Sequence, residues 1–282
     1  FKNIKFSQHH LSHMASAYYP SNFQNSAILT IDGVGEKSTT CIGIGNRNKI
    51  EIIEQIEYPN SIGLLYSAFT QFLGFKVNSG EYKIMGLAPY GEPKYTDIIL
   101  SELIHLNEDG SYSINQNYFN YRYGNTMINK RFEDLFELRT RSSDQEITNK
   151  HMDIANSIQK VTEIACLKLA DRAKKITKSD NLCLAGGVAL NCVSNTKIYN
   201  ANIFKNIWIQ PASGDAGTAL GAALYFYHQQ LGHEKSEKKK FDVYCGSKYS
   251  NEEIKLSLNK IGIKDYHVYE DGRLVKNISQ EL

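Results

Sequence analysis

Three of the eight histidines in this chain of 282 residues lie within five consecutive positions, in the segment HHLSH. His9 and His13 are four residues apart, a spacing that places two side chains on one face of a helix. His10 is rotated away from that face by about 100°. Two neutral imidazoles on one helix face are half of a metal site, so the chain should supply further ligands elsewhere.

Two aspartates are candidates for the other ligands. Asp32 ends a segment with the pattern of a strand, and Asp215 follows a second strand-like segment, each with a glycine beside it. In α/β sheets, ligands gather beyond the carboxyl ends of strands. Two imidazoles and two carboxylates suit Fe(II) or Mn(II), with coordination positions left for water or phosphate oxygens. Each residue alone could equally be a surface group or a helix cap, but the four together favour a metal site.

Three glycine-bearing loops point to phosphate. DGVGE (32–36), LAGGVALN (184–191) and ASGDAGTALG (212–221) each follow a strand pattern, and the last two each open a helix. Glycine lets backbone amides approach an anion closely, and a helix N-terminus attracts negative charge. One such loop is weak evidence, but three loops with two candidate metal ligands predict a nucleotide site. Lys83, in GEYKIMGLAPYG, is a candidate charge for phosphate and equally a candidate surface lysine.

Strand and helix patterns alternate along the chain, which predicts an α/β fold. Apolar spacing predicts helices over 61–75 and 151–176, and a polar, tyrosine-rich stretch over 111–150 predicts a hairpin followed by an irregular excursion. Residues 78–93 are predicted to be a glycine-bearing loop. Strands are predicted at 27–31, 38–45, 49–58, 181–187 and the start of 206–217, with helices over 188–200 and 218–231 after the last two.

Composition excludes several classes of function. The net charge of +2 argues against a nucleic-acid partner. Five scattered cysteines without a CxxC pair indicate reduced thiols in a cytoplasmic protein rather than disulfides or a cysteine zinc site. The apolar stretch 182–190 is too short to span a bilayer and no secretory leader pattern opens the sequence, so no membrane association is expected.

Five segments together resemble the O-carbamoyltransferases of the NodU/CmcH type, in that family's order. They are HHLSHMASAYYPSNF, LTIDGVGE, SGEYKIMGLAPYG, LAGGVALNCVSN and ASGDAGTALGAA, and they extend over roughly residues 6–230. The resemblance implies an actin-like ATPase/sugar-kinase (ribonuclease H-like) fold, of which this chain holds mostly the second lobe. It also implies transfer of a carbamoyl group from carbamoyl adenylate, made from ATP and carbamoyl phosphate, to a hydroxyl of a small-molecule or sugar acceptor.

The resemblance assigns roles to individual residues. A divalent metal, usually taken to be iron, would be held by His9, His13, Asp32 and Asp215. The nucleotide would lie against Gly33, Gly35, Lys83, Gly186, Gly187, Asn191 and Gly214. Its position beside the metal face, rather than the resemblance, makes His10 the best catalytic base in its segment, although a packed or solvated helix residue is the simpler explanation.

The resemblance also predicts a domain arrangement. Residues 1–232 would form the metal- and nucleotide-binding domain without its first strands, 233–241 a charged linker, and 242–282 the start of a YrdC-like region. The chain is therefore expected to be a fragment, incomplete for the full reaction.

Three other functions remain open for the same fold. They are a tRNA threonylcarbamoyl transferase, a non-catalytic nucleotide-binding module and a sugar kinase, in which the histidine pair would have no use. The acceptor is not readable from the sequence. Five aromatic residues of the tyrosine-rich stretch could either stack on a sugar ring or pack within a hairpin. They are Tyr112, Tyr118, Phe119, Tyr121 and Tyr123.

Overall fold

A computed structural model describes residues 4–235, 242–244 and 246–282. They belong to two compact units, Phe1–Phe241 and Asp242–Leu282. The elements of the first unit, in chain order, are α1 (His9–Tyr18), β1 (Asn25–Ile31), β2 (Ser38–Asn46), β3 (Lys49–Glu57), α2 (Ile62–Phe72), α3 (Glu81–Leu87), α4 (Thr96–Ile98), β4 (Ile104–Leu106), β5 (Tyr112–Ile114), α5 (Lys130–Leu135), α6 (Asn149–Thr177), β6 (Asn181–Ala185), α7 (Cys192–Asn200), β7 (Asn206–Ile209) and α8 (Thr218–Tyr225).

The main sheet has five strands in the order β3-β2-β1-β6-β7. β1, β2 and β3 form an antiparallel meander, whereas β6 and β7 run parallel to β1. The structure is therefore a mixed α/β fold with a partly parallel sheet, as the sequence predicts. Its strand order and its antiparallel second strand agree with a ribonuclease H-like sheet.

Helices cover both faces of the central strand. β1 is buried at every position after Asn25 because α1 packs on one face and α6 on the other. Neighbouring residues of β1 accordingly enter different cores. Leu29 joins Phe69 and Ile158 on the α2 and α6 side, and Ile28 joins Met14 on the α1 side.

A close helix–helix contact fixes the position of α1. Gly221 of α8 lies so near to α1 that a Cβ atom on it would stand 1.8 Å from the backbone oxygen of Ser12. Only glycine permits this approach. The contact fixes the position of α1 against α8, and thereby that of the residues on its first turns.

β3 is an edge strand and carries polar groups along its length. Ile50 faces the core, whereas Lys49, Glu51 and Glu57 are exposed. Glu54 forms an ion pair with Arg172 of α6 through two contacts of 2.5 and 3.0 Å.

Most predicted elements are confirmed, including the meander and the long helix α6. The predicted loop over 78–93 is wrong, because α3 occupies Glu81–Leu87 and a 3-10 turn follows at Ala88–Tyr90. The carboxylate of Glu81 accepts hydrogen bonds from the amides of Asn78 and Gly80. This stabilises the turn that leads into the helix.

The predicted hairpin lies earlier than expected. β4 and β5 pair between Ile104 and Ile114, so only its second strand falls within 111–150. Tyr112 and Phe119 are buried in the core, while Tyr123 is exposed. The aromatic residues of this stretch therefore serve mainly as packing, as the simpler interpretation predicted.

The second unit contains α9 (Asn251–Lys260) and α10 (Asp271–Glu281). The Ser250 hydroxyl caps α9 by accepting the Glu253 N–H, and the Glu253 carboxylate accepts the Ser250 N–H. Of the predicted linker, residues 236–241 lie outside the described residues, and its bounds stay a prediction. No helix in the described ranges is long and apolar enough to cross a membrane.

Candidate metal and nucleotide site

The four predicted metal ligands converge in the structure. His9 and His13 lie on one face of α1 with their Nε2 atoms 3.0 Å apart. Asp32 follows the last residue of β1, and Asp215 begins a 3-10 turn that leads into α8. One ligand atom from each of the four residues lies within 4.8 Å of the other three.

The distances between these atoms suit a divalent ion. Asp32 Oδ2 is 2.6 Å from His9 Nε2 and 3.1 Å from His13 Nε2. Asp215 Oδ1 is 3.7 and 3.5 Å from the same two nitrogens. With metal–ligand bonds of about 2.1 Å, neighbouring ligand atoms stand about 3.0 Å apart at octahedral angles and about 3.4 Å apart at tetrahedral angles. The donor set and its spacing therefore fit a divalent metal.

Asp32 is held as a carboxylate by its surroundings. Burial alone would raise its pKa, but hydrogen bonds with His13, His9 and the Gly187 amide outweigh burial and lower the pKa well below its usual range. The Gly187 amide donates to Asp32 Oδ1 at 2.9 Å, which leaves Oδ2 turned to the histidines. The hydrogen bond to Asp32 also raises the pKa of His9.

The ligands differ greatly in exposure. The side chain of His13 is fully buried, whereas that of Asp215 is 79% exposed. His13 Nδ1 has no hydrogen-bond partner in the part of the chain that the structure describes. The site thus has a buried side formed by α1 and β1 and an open side at Asp215.

His10 lies beside the cluster but does not face it. Its Nε2–H donates to the carbonyl oxygen of Ser38 at 2.9 Å, so its Nδ1 accepts from the hydroxyl of Thr30 at 2.8 Å. Burial lowers its pKa to about 4. The ring is neutral and both nitrogens are occupied, which argues against His10 as a base; that role stays a prediction.

The loop between β1 and β2 contacts the start of α1. Glu36 accepts the His9 backbone N–H with both carboxylate oxygens, at 3.0 and 3.2 Å. Gly35 lies against the same turn, since a Cβ on it would stand 3.1 Å from atoms of His9 and His10. Glu36 closes the same DGVGE segment that Asp32 opens, and its contact with α1 was not predicted from the sequence.

A cavity of about 650 Å³ adjoins the metal ligands. This volume is within the range of sites for small molecules and nucleotides. Asp32 and Asp215 line one part of it, and residues of α2, α3 and α6 contribute to other parts of its wall. Four residues predicted to contact the nucleotide are in its wall, namely Gly33, Gly187, Asn191 and Gly214.

The other three predicted nucleotide residues are not in this wall. The amide of Gly35 donates to Ser38, and that of Gly186 donates to Ser213. Lys83 places its ammonium group 5.7 Å from the ring centre of Phe75. Their contacts with a nucleotide stay predictions that the present geometry does not support.

A polar network that was not predicted from the sequence supports two residues of the cavity wall, Tyr66 and Asn191. Gln159 of α6 exchanges hydrogen bonds with Asn191, at 3.1 and 2.9 Å, and accepts one from the hydroxyl of Tyr66. It also donates to Glu163, one turn later on the same helix. The sequence does contain a signal for this network, because two polar residues four apart, Gln159 and Glu163, interrupt the apolar stripe of α6.

Comparison with known proteins identifies a family for this chain. Residues 1–224 match the family described as Carbamoyltransferase N-terminus. The chain belongs to this family.

Several curated relatives extend well beyond the matched region. The chain is 35% identical to nodulation protein NolNO of Sinorhizobium fredii, over 86% of this chain and 34% of the relative. It is 33% identical to nodulation protein NolO of Bradyrhizobium diazoefficiens, over 89% of this chain and 44% of the relative. An uncharacterized protein of Synechocystis sp. is 51% identical over 99% of this chain and 46% of its own length. The chain thus spans less than half the length of these relatives.

Among solved structures, the crystal structure of T. kodakarensis HypF aligns with 80% of this chain and 37% of its own. The TM-score is 0.41 at 14% identity. A likeness this weak carries no conclusion about fold or activity.

Proposed function

We propose that the complete protein transfers a carbamoyl group to a hydroxyl of a small-molecule or sugar acceptor, and that this chain supplies the site where the donor reacts. The donor would be carbamoyl adenylate, formed from ATP and carbamoyl phosphate. The observation that carries the proposal is the convergence of two imidazoles and two carboxylates at the edge of a nucleotide-sized cavity. Membership of the carbamoyltransferase family supports the type of group transferred.

His9, His13, Asp32 and Asp215 would hold a divalent ion, Fe(II) or Mn(II), with a nucleotide in the adjoining cavity. When bound, the ion would act as a Lewis acid towards phosphate oxygens and stabilise the charge that develops on AMP as it leaves.

The remaining contributions come from the chain itself. The Gly187 amide fixes one oxygen of Asp32 so that the other faces the histidines. Gly33 and Gly214 leave the cavity wall beside these ligands free of side chains, so a phosphate can approach the backbone. Two hydrogen bonds with Gln159 hold the side chain of Asn191 in place in the cavity wall.

In the proposed reaction the acceptor oxygen forms a bond to the carbamoyl carbon. The bond between that carbon and the phosphate oxygen breaks, AMP leaves, and the hydroxyl proton passes to a base. The contacts of His10 do not favour it as this base, because both of its nitrogens are engaged.

A comparison of two histidine variants of the complete protein tests the proposal. His13→Ala should lose the bound metal and carbamoyl transfer, whereas His105→Ala, at an exposed position on β4, should keep both. Metal is measured by elemental analysis after purification without oxygen. Transfer is followed from labelled carbamoyl phosphate with ATP, offered to simple sugars and, separately, to unfractionated tRNA.

The outcomes separate the alternatives. Equal metal content in both variants would refute the ligand assignment. Label in tRNA but not in sugars would favour a tRNA-modifying enzyme. AMP binding without transfer to any acceptor would favour a non-catalytic module.

A further inference from the structure

The helix that carries both histidines has no N-terminal cap of its own. The first N–H groups of a helix lack partners within it. The side chain of Gln8, at the N-cap position of α1, makes no capping hydrogen bond, and the first turn contains no acidic residue. The start of α1 therefore depends on a partner from elsewhere in the chain.

Glu36 is that partner. It lies 27 residues after His9, in the loop between β1 and β2, and both of its carboxylate oxygens accept the His9 backbone N–H. Hydrogen bonds from a backbone N–H to a carboxylate are among the stronger ones in proteins. The contact is made to His9, which itself supplies one of the four ligand atoms.

The loop that carries Glu36 is fixed by its own backbone. The Asp32 amide donates to Thr39 at 2.9 Å, and the Gly35 amide donates to Ser38 at 2.8 Å. This closed loop begins with Asp32, a metal ligand. Glu36 therefore connects the loop that holds one ligand to the helix that holds two others.

The charge of Glu36 matters as well as its hydrogen bonds. The N-terminus of a helix carries a partial positive charge, which disfavours a cation nearby. His9 and His13 lie on the first two turns of α1, so an ion held by them is near this unfavourable end. A carboxylate at His9 N–H offsets that charge.

We propose that Glu36 is a positioning residue for the metal site, holding His9 in register with Asp32 and offsetting the helix charge. This inference rests on the proposed function, because it requires that the four ligands bind a divalent ion. A residue that only stabilised the fold would change the melting temperature of the metal-free protein and leave its affinity for metal unaltered.

Titration of the metal-free complete protein with Mn²⁺ tests the proposal. Glu36→Ala should raise the Kd for Mn²⁺ by about tenfold, the lower end of the effect of residues that orient metal ligands. Glu36→Gln keeps an oxygen for the His9 N–H but loses the charge, so its Kd should lie between those of the wild type and Glu36→Ala. Glu146→Gln, at an exposed position outside the site, is the control and should match the wild type.

The melting temperature of each metal-free variant is measured alongside. Unchanged Kd values in both Glu36 variants would overturn the proposal, whatever their melting temperatures. If the wild type itself binds no Mn²⁺, the metal site fails, and the role of Glu36 fails with it. Those two failures are distinguished by the wild-type titration alone.

Discussion

Replacing Gly221 with alanine should damage the fold and the metal site together. The added Cβ would stand 1.8 Å from the Ser12 oxygen, whereas ordinary contact begins at 3.4 Å, so α1 and α8 would have to separate by about 1.6 Å. The atom in the way belongs to the backbone, and a rotamer change cannot relieve the contact. Because Ser12 precedes His13, the displacement reaches the ligand cluster.

The expected change in the free energy of unfolding follows from two opposing effects. Alanine is the better helix former and would contribute about 1 kcal/mol at an unhindered position. Overpacking against backbone costs about 3 kcal/mol, at the upper end of its usual range. The net loss is about 2 kcal/mol, which corresponds to a fall in melting temperature of about 4–8 °C for a domain of this size.

Thermal unfolding followed by circular dichroism measures the stability change, and Mn²⁺ titration measures the effect on the site. Gly86→Ala is the matched control, since Gly86 is also helical but a Cβ on it would meet nothing within 4 Å. It should be neutral or slightly stabilising. A Gly221→Ala variant with the wild-type melting temperature and Mn²⁺ affinity would refute the argument that this contact positions α1.

Three further predictions concern buried and exposed reactive groups. Cys192 is exposed near the cavity, with its sulfur 3.8 Å from that of Met85. A thiol reagent, with its sites mapped by mass spectrometry, should therefore label Cys192 rapidly, and AMP should slow this labelling. A labelling rate that AMP leaves unchanged would contradict the placement of the nucleotide. Burial lowers the pKa of Lys235 to about 8. Between about pH 8 and 10.5, the ordinary pKa of a lysine, the unfolded chain therefore binds more protons than the folded chain. The contribution of Lys235 to the free energy of unfolding should rise with pH over that range. Between about pH 8 and about pH 10, the free energy of unfolding measured with urea should rise less in Lys235→Met than in the wild type. Identical pH dependences in the two proteins would contradict the effect of burial. Three thiols should stay unlabelled in the native protein because they are buried and have pKa values raised to about 11 or 12, namely Cys41, Cys166 and Cys183.

The convergence of the four candidate metal ligands could be predicted because their local patterns are strong. The four-residue spacing of His9 and His13 fixes their common face, and Asp32 follows a continuous buried strand. Strand ends in such sheets meet at one edge, which brings Asp32 and Asp215 near α1. The α/β fold and the long helix α6 follow from equally clear periodicity.

Contacts between distant segments could not be read in this way. The glycine-bearing loops and the family resemblance together predicted that Gly35 and Gly186 contact a nucleotide, but each amide has a backbone acceptor that only the folded chain reveals. The spacing of α1 shows which residues share a face but not that His10 meets Thr30 and Ser38 on another. The helix α3 was missed because its glycine-rich flanks outweighed the capping carboxylate of Glu81.

The exposed flank of β3 has a consequence for the protein in solution. Unpaired strand edges are templates for association with another copy. Here Lys49, Glu51 and Glu57 surround that edge with charge, and an incoming strand would have to strip water from each of them. A shift in the β2–β3 register between Ile52 and Glu54, and the hydrogen bond from the Ile50 N–H to Gln229 Oε1, further disfavour intermolecular sheet growth at this border.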